Sequence, residues 1–259
     1  MKHLREITHA GVIKRRDATH EMLKKHYDNY SSADEQSVGQ ASYYRGGSRT
    51  INNYHWETHK GTPESDITNP YDNKSMTEGE LKSVKHTSEH MDKMINHTLT
   101  PTKLKVYSGT LTDPRTLKDK EGIIHHPAYL STSVDQHIAE DFARSRALGQ
   151  AMDKKDGTPH MLKIHVPKGH PGLYMPSTSE HSTLAQEEKE FVLPRNTRLK
   201  YMKTTKNNIS SSKDPDDNLL VHHMKVVPHT NNINENNCRC PDWHTAICVS
   251  RNCPRKSNK

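Results

Sequence analysis

The first hundred residues place apolar side chains at the spacing of amphipathic helices. In HLREITHAGVIKRRDATHEMLKKHYDNY they are Leu4, Ile7, Val12, Met22 and Leu23, and in TEGELKSVKHTSEHMDKMINHTL they are Leu81, Val84, Met91, Met94 and Ile95. Residues three or four apart share one face of a helix, so each segment can bury one side. Between them, SADEQSVGQASYYRGGSRTINNYHWE combines a glycine break with a second short apolar patch. We therefore predict two or three modest helices in residues 1–100.

After residue 100 the pattern changes to short apolar runs bounded by Pro, Gly, Asn and Asp. In HMLKIHV, the residues Leu162, Ile164 and Val166 alternate with polar ones, which is the period-2 pattern of a half-buried strand. Similar runs predict further strands, and the full set is 104–109, 128–133, 160–166, 172–176, 189–193, 197–203 and 218–227.

One helix is predicted to interrupt this series of strands, in SVDQHIAEDFARSRALGQ. Ile138 and Phe142 are four residues apart, as are Ala139 and Ala143, which is the spacing of one helix face. Ser133 stands where the N-cap of this helix would be, and serine is a favoured residue there.

Helices first and strands later favour an α+β fold with a mostly antiparallel sheet. We predict a helical region over residues 1–100, a β core over 101–229 and a flexible basic tail over 230–259. Within this frame the polar segment 203–218 is expected to be a mobile loop, and 230–237 a linker to the tail. A length of 259 residues suits one large domain with extensions.

Composition adds a polar shell and a basic charge to this picture. Only 30% of the residues are hydrophobic and the formal net charge is +7, with 20 histidines besides. Such a chain attracts polyanions, although charge alone identifies no partner. No stretch approaches the ~20 apolar residues that span a bilayer, and the N-terminus lacks the apolar segment of a secretory signal. We expect a soluble cytoplasmic protein that does not bind membranes.

The cysteines all lie in the last 22 residues, so they cannot cross-link the main body of the fold. They are Cys238, Cys240, Cys248 and Cys253, and His244 lies among them. Their spacings are C-x-C and C-x4-C, whereas zinc ribbons use two C-x2-C pairs. We therefore favour reduced thiols without metal, in a basic tail that could help hold RNA or RNA-associated proteins, over a structural zinc site.

The segment LAQEEKEFVLP places acidic residues at the start of a predicted strand. Side chains at i and i+2 of a strand point to the same face, so Glu188 and Glu190 should project together. Two neighbouring carboxylates repel each other unless a cation or a substrate lies between them. The pair is therefore either a solvated strand end or part of a functional site.

A second motif, PAYLSTSVDQHIAEDFA, places small hydroxyl side chains where a strand meets a helix. Ser131, Thr132 and Ser133 can bond there to the backbone or to a neighbouring carboxylate, and helix capping alone could also explain a serine at this place.

The order of these motifs resembles that of the arginine-specific mono-ADP-ribosyltransferases, which include bacterial toxins and enzymes that tailed phages use on their hosts. The resemblance rests on aromatic-x-Ser-Thr-Ser before a helix, and then, after an alternating strand and a glycine turn, on Glu-x-Glu-Phe-Val-Leu-Pro-Arg. LKVYSG falls where the family has its first NAD-contacting strand, and SRTINNYHWE is similar to the helical segment before it. The resemblance covers roughly residues 40–228 and is greatest to the phage-encoded members.

This resemblance implies a two-sheet β core, NAD as substrate and arginines of host proteins as acceptors. It makes Glu190 the catalytic residue that bonds the 2′-hydroxyl of the nicotinamide ribose and stabilises an oxocarbenium-like transition state. Carboxylates have this function in glycoside hydrolysis. It makes Glu188 the residue that orients the acceptor and helps remove its proton. Ser131 would position Glu190 and NAD, supported by Thr132 and Ser133.

The first strand departs from the family pattern, because Ser108 stands where the toxin branch has arginine. Lys105 and Arg115 are the nearest cations that could bind the NAD phosphates instead. Tyr44-Arg45-Gly46 imitates the missing motif but lies too far upstream. The resemblance implies contacts to NAD from Lys105, Tyr107, Ser108, Gly109, Thr132 and Ser133. Without a ligand, VYSG would be a plain strand end with a glycine turn.

A second Ser-Thr-Ser, at residues 177–179, is not followed by an apolar strand-to-helix junction. We interpret it as the loop that precedes the catalytic strand and touches the acceptor, or else as a surface loop without function.

Two other functions remain open from the sequence. The same fold could use NAD-capped RNA as donor or a nucleic-acid base as acceptor, which the basic charge permits. Alternatively, the chain could be a non-catalytic nucleotide-binding module in which Ser108 marks a decayed site.

Overall fold

The computed structural model describes residues 9–28, 47–152, 158–175, 188–206 and 219–227. Within these ranges the helices are α1 (His9–Asp28), α2 (Ser48–Lys60), α3 (Glu78–His97) and α4 (Gln136–Met152). The strands are β1 (Leu104–Thr110), β2 (Ile123–His126), β3 (Leu130–Ser133), β4 (His160–Val166), β5 (Leu173–Tyr174), β6 (Glu190–Leu193), β7 (Thr197–Lys206) and β8 (Leu220–Val227). The predicted helices and every predicted strand are confirmed, and β2 is an additional strand.

The N-terminal helices form where the apolar spacing predicted them. Helix α3 begins with a capping box, in which Thr77 and Glu80 satisfy each other's backbone N–H groups. Its apolar face buries Val84, Met91 and Ile95. Helix α2 ends at Gly61, whose φ of 84° is a left-handed conformation that glycine adopts without steric cost. These helices cover one face of the sheet and enclose the main core.

The eight strands form a single hydrogen-bonded sheet in the order β2-β7-β8-β4-β1-β3-β6-β5. Only β4 and β8 are parallel, so the prediction of a mostly antiparallel core is confirmed. The prediction of two sheets is wrong. Strand β1 pairs with β4 along its whole length, from Leu104 to Thr110, and also joins β3 through the pair Tyr107 and Ser133. This single junction connects the two halves of the β core.

Two apolar clusters stabilise this arrangement. The larger lies between the helices and the sheet and contains the fully buried rings of Tyr27, Tyr129, Tyr174 and Phe191. The smaller lies between α4 and the sheet. There Ala139 and Ala143 of α4 pack against Met161 of β4 and against Leu219 and Val221 at the start of β8.

Three details differ from the sequence predictions. Helix α4 is capped by Asp135, whose carboxylate accepts the backbone N–H of His137 at 3.1 Å, and not by Ser133. Strand β7 continues to Lys206, so residues 203–206, which were predicted as part of a loop, are strand. The rest of that loop, the linker at 230–237 and the cysteine tail lie outside the described residues. Among the described helices, none is long and apolar enough to cross a membrane.

Candidate active site

Glu190 and Ser131 meet where β6 pairs with β3. In the antiparallel register Ser133 is opposite Glu190 and Ser131 is opposite Val192, so Ser131 and Glu190 are diagonal neighbours. The hydroxyl of Ser131 donates a hydrogen bond to Oε1 of Glu190, a residue that is only 5% exposed. Because burying a carboxylate is costly unless it is hydrogen-bonded, Ser131 supports the charged form of Glu190.

Glu188 lies at the same site as Glu190, but not through the strand alternation that was predicted. Strand β6 begins at Glu190, and Glu188 lies outside it, two residues earlier. Lys189 between them has φ of 46°, a left-handed conformation, so strand alternation does not align the two glutamates. Lys189 instead forms an ion pair with Asp135 at 3.3 Å, which ties the turn to the start of α4.

The other two hydroxyls of the Ser-Thr-Ser motif bind backbone. Ser133 donates to the carbonyl oxygen of Glu188 at 2.7 Å and accepts the N–H of Asp135 at 3.0 Å. Thr132 donates to the carbonyl oxygen of Phe191. The motif therefore fixes the backbone at Glu188 and Phe191, on either side of Glu190.

Strand β1, the neighbour of β3 in the sheet, adds Tyr107, Ser108 and Gly109 to the site. The Ser108 hydroxyl donates to the carbonyl oxygen of Ser131 at 2.9 Å. This bond adds a side-chain link between β1 and β3, which are otherwise joined through the one pair Tyr107 and Ser133. A Cβ at Gly109 would lie 2.5 Å from the backbone nitrogen of Ala143. Glycine is therefore required here because α4 packs directly on β1.

These walls enclose a cavity of about 530 Å³, which is within the usual range of ligand sites. Of the residues expected at the site, eight line it: Tyr107, Ser108, Gly109, Ser131, Thr132, Ser133, Glu188 and Glu190. The lining also includes apolar side chains, among them Ile124, Leu130, Phe142 and Leu162. The chemistry is thus a pair of carboxylates and a row of hydroxyls set in a partly apolar cleft.

Neither cation proposed for the NAD phosphates lines this cavity. Lys105 is exposed and pairs across the sheet with His165, outside the cleft. Arg115 donates from Nε and a terminal nitrogen to both carboxylate oxygens of Asp113, over 2.6–3.0 Å, which holds the pKa of Asp113 at about 2. Within the described part of the chain, no lysine or arginine lines the cavity.

Several lining residues were not predicted from the sequence. Asn52 and Trp56 are one turn apart on α2, and His126 ends β2. The Trp56 and His126 rings meet edge to face with centroids 5.2 Å apart, and His126 bonds to the carbonyl oxygen of Ala128 at 2.9 Å. Burial lowers the pKa of His126, which favours the neutral ring. The i, i+4 spacing of Asn52 and Trp56 was a usable signal for a shared helix face.

Next to the cavity, a polar network joins the aromatic residue of the YLSTS motif to the arginine that ends the EKEFVLPR motif. Arg195 forms an ion pair with Asp92, and the Tyr129 hydroxyl donates to Asp92 at 2.7 Å. The Arg195 guanidinium also lies 5.8 Å from the centre of the Tyr129 ring and 3.3 Å from Nδ1 of His55. The network connects α2, α3, the residue before β3 and the second residue after β6. Tyr129 and Arg195 therefore hold the strands that carry Ser131 and Glu190.

This arrangement can stabilise positive charge that develops on a bound ligand. Glu190 is a buried carboxylate held by a short polar contact, and a preorganised charge in a partly apolar cleft interacts more strongly than in water. Glu188 is a second carboxylate in the lining of the cavity, and a carboxylate can accept a proton.

The remaining sequence motifs lie outside the described residues. They are Tyr44-Arg45-Gly46, the second Ser-Thr-Ser at 177–179 and the four cysteines of the tail.

Comparison with known families gives one extensive match. The sequence model described as ADP-ribosyltransferase exoenzyme matches residues 19–226, which include all the lining residues named above. A search of curated proteins finds no significant match.

Solved structures of ADP-ribosyltransferases share the fold at low sequence identity. The Vis toxin of Vibrio splendidus has a TM-score of 0.53 and 13% identity, and Vis in complex with agmatine has 0.54 and 14%. Each alignment covers 88% of this chain and 89% of the other. The BECa toxin of C. perfringens, solved with NADH, has a TM-score of 0.54 and 15% identity over 83% of this chain and 48% of that one.

Proposed function

The chain belongs to the ADP-ribosyltransferase exoenzyme family, and we propose that it transfers ADP-ribose from NAD to arginine side chains of proteins, releasing nicotinamide. The observation that carries the proposal is the hydrogen bond from Ser131 to the buried Glu190 at the wall of a ligand-sized cavity.

In this proposal Glu190 acts on the donor. Cleavage of the bond between nicotinamide and ribose leaves positive charge on the ribose, and a carboxylate beside the ring lowers that barrier. Glu190 is placed for this because it lines the cavity, is 5% exposed and has its orientation fixed by Ser131. It would accept a hydrogen bond from the ribose 2′-hydroxyl.

Glu188 acts on the acceptor. A guanidinium has a pKa above ~12, so it attacks poorly until a neighbouring carboxylate aligns it and accepts a proton. Glu188 is half-buried and lines the cavity, and its backbone is held by Ser133. The related fold of Vis has been solved with agmatine, whose guanidinium is the group that an arginine acceptor presents. From the resemblance to phage-encoded members we infer that the acceptor proteins belong to a bacterial host.

The NAD phosphates would be held by neutral donors. The cavity wall carries the hydroxyls of Tyr107, Thr110 and Thr112 beside Ser108, and no described lysine or arginine. Neutral donors give weaker attraction than a guanidinium. We therefore expect a higher KM for NAD than an arginine at position 108 would give, and Ser108→Arg to lower it.

Two glutamate variants test the assignment with NAD and agmatine as substrates. Glu190→Gln keeps the size of the side chain but removes the charge, so both NAD hydrolysis and transfer to agmatine should be lost. Glu188→Gln should lose transfer to agmatine and keep slow NAD hydrolysis. Full transfer by Glu190→Gln with an unchanged melting temperature would sink the proposal. NAD binding by calorimetry without hydrolysis in the wild type would favour the non-catalytic module instead.

A second candidate function, with RNA as the donor carrier or acceptor, is favoured by a basic face of the sheet. Paired residues on β1, β4, β7 and β8 place basic side chains on this face, among them Lys105, Lys163, His165, Lys203, His223 and Lys225. Burial and then repulsion from Lys105 and Lys203 lower the pKa of Lys163. Its ammonium also lies 5.9 Å from the ring of Tyr107, which lines the cavity. The basic face thus adjoins the candidate active site.

Parallel assays with labelled NAD and labelled NAD-capped RNA separate the two functions. If RNA binds the basic face, Lys163→Glu should weaken binding of single-stranded RNA and flatten its salt dependence, whose slope is about −0.7 per phosphate contact. Lys82→Glu, which makes the same charge change at an exposed position of α3, is the control. Equal effects of both variants, or no transfer from NAD-capped RNA, would reject this candidate.

A further inference from the structure

Three side chains outside the proposed active site converge at the end of the sheet where β1 stops and β4 begins. Asp113 follows β1, His160 is paired with Thr110 at the end of β1, and His222 lies on β8 beside β4. His160 is 5% exposed and His222 is fully buried. Asp, His and His from three separate parts of the chain are a donor set that metal sites commonly use.

The distances suit one ion with modest movement. Nδ1 of His160 and Nε2 of His222 are 2.9 Å apart, and one ligand atom from each of the three residues lies within 4.8 Å of the others. With Zn–N bonds of 2.0–2.1 Å, two nitrogens on a tetrahedral ion are about 3.3 Å apart. The imidazoles therefore need to separate by only a few tenths of an ångström, whereas the carboxylate has to approach by rotation of its side chain.

The second ring nitrogen of His222 is already oriented. Nδ1 of His222 bonds to the hydroxyl of Thr204 at 2.8 Å, and that hydroxyl bonds to the hydroxyl of Tyr201 at 2.9 Å. Metal-binding histidines typically have their other ring nitrogen fixed in this way, which sets the tautomer and the direction of the ligating atom. Here it directs Nε2 towards His160.

Arg115 is the competitor for this site. Its guanidinium binds both carboxylate oxygens of Asp113, so an ion has to displace at least one of these hydrogen bonds. The Arg115 side chain is 47% exposed and can move into solvent, and exposed ion pairs are weak. The competition therefore lowers metal affinity without preventing binding.

We propose that Asp113, His160 and His222 form a zinc-binding site, completed by water. Two imidazole nitrogens and one carboxylate oxygen suit Zn²⁺, whereas Mg²⁺ and Ca²⁺ prefer oxygen ligands. The ion would connect the ends of β1, β4 and β8. Because Thr112 and Pro114 flank Asp113 and line the cavity, it would also stiffen that part of the wall, and it takes no part in the transfer reaction.

The test uses the full chain with its four cysteines replaced by serine, which removes the thiol ligands of the tail. Zinc is titrated in competition with a chromophoric chelator. We expect one high-affinity zinc per chain, and a weakening of about tenfold or more in Asp113→Asn, since even indirect ligand contacts are worth 10–100-fold. Arg115→Gln should strengthen zinc binding about twofold to fivefold, the size expected for removing an exposed ion pair.

His160→Asn provides a second variant at a buried ligand, and circular dichroism and the melting temperature show whether each variant folds. Zinc should raise the melting temperature of the cysteine-free protein and not that of Asp113→Asn. The proposal is overturned if the cysteine-free protein binds no zinc, or if Asp113→Asn binds zinc as tightly as its parent. An unchanged or weakened affinity in Arg115→Gln would also contradict it.

Discussion

Replacing Ser131 by alanine tests whether the geometry of Glu190 controls catalysis. The variant removes a hydrogen bond to a carboxylate that is 5% exposed, so solvent can replace the donor only in part. Hydrogen bonds to charged groups contribute about 1.5–3 kcal/mol. Since 1.36 kcal/mol corresponds to tenfold in rate, kcat should fall by about 10–150-fold if this support is needed in the transition state.

The assay is release of nicotinamide at varied NAD concentration, with agmatine as acceptor. Because Ser131 acts on the reaction through Glu190, the loss should appear mainly in kcat, with a smaller change in KM. Ser131→Thr is the matched control, because it keeps the hydroxyl and a β-branched residue is well tolerated in a strand. It should retain activity within a few-fold of the wild type.

Two results would refute this reasoning. One is a Ser131→Ala protein whose kcat stays within about twofold of the wild type, which would mean that Glu190 needs no support. The other is Ser131→Thr being as inactive as Ser131→Ala while both keep the wild-type melting temperature, since the hydroxyl would then not be the active feature.

Three further predictions concern the scaffold. Gly109→Ala should destabilise the fold by about 1–3 kcal/mol in urea unfolding, because the added Cβ would collide with the backbone of α4. Gly79→Ala is the control and should not destabilise the fold, because a Cβ there would have no contact under 4.0 Å. Equal stability of the two variants would contradict the packing argument. Arg195→Ala should lower the free energy of unfolding by about 1–3 kcal/mol, because it leaves Asp92 without its cation. An unchanged unfolding midpoint would show that the network does not stabilise the fold. Burial lowers the pKa of His55 to about 4, below its ordinary 6.5. Because the unfolded chain therefore binds the proton first as the pH falls, the free energy of unfolding should decrease between pH 6.5 and 4, by at most about 3 kcal/mol from this residue. The variant His55→Asn should flatten that dependence, and an unaltered pH profile would show that His55 does not contribute.

The helices and strands were largely predictable because their apolar residues follow the period of each element. HMLKIHV became β4 as its alternation indicated, and α3 formed where the apolar spacing and Thr77 with Glu80 favour a helix. Strand β2 was missed because it offers only Ile123 and Ile124 before two histidines, too short a run to show a period. It forms because β7 supplies its partner, which local sequence does not show.

The candidate site was predictable in its members more than in its geometry. The resemblance implied that Ser131 positions Glu190, and the two side chains are hydrogen-bonded across the paired strands β3 and β6. Glu188 lines the cavity through a left-handed Lys189, a conformation that strand alternation excludes. Lys105 is outside the cleft because it lies near the start of β1, whereas the cavity is lined by the later residues 107–110, and which part of a strand meets a cavity depends on the tertiary fold.

The central claim is that this chain uses Glu190 to transfer ADP-ribose to arginine. It is tested most directly by mass spectrometry of bacterial lysate incubated with NAD and either the wild type or Glu190→Gln. The account predicts ADP-ribose on arginine side chains with the wild type and none with the variant. Modification of other residue types alone, or equal modification by Glu190→Gln, would contradict it.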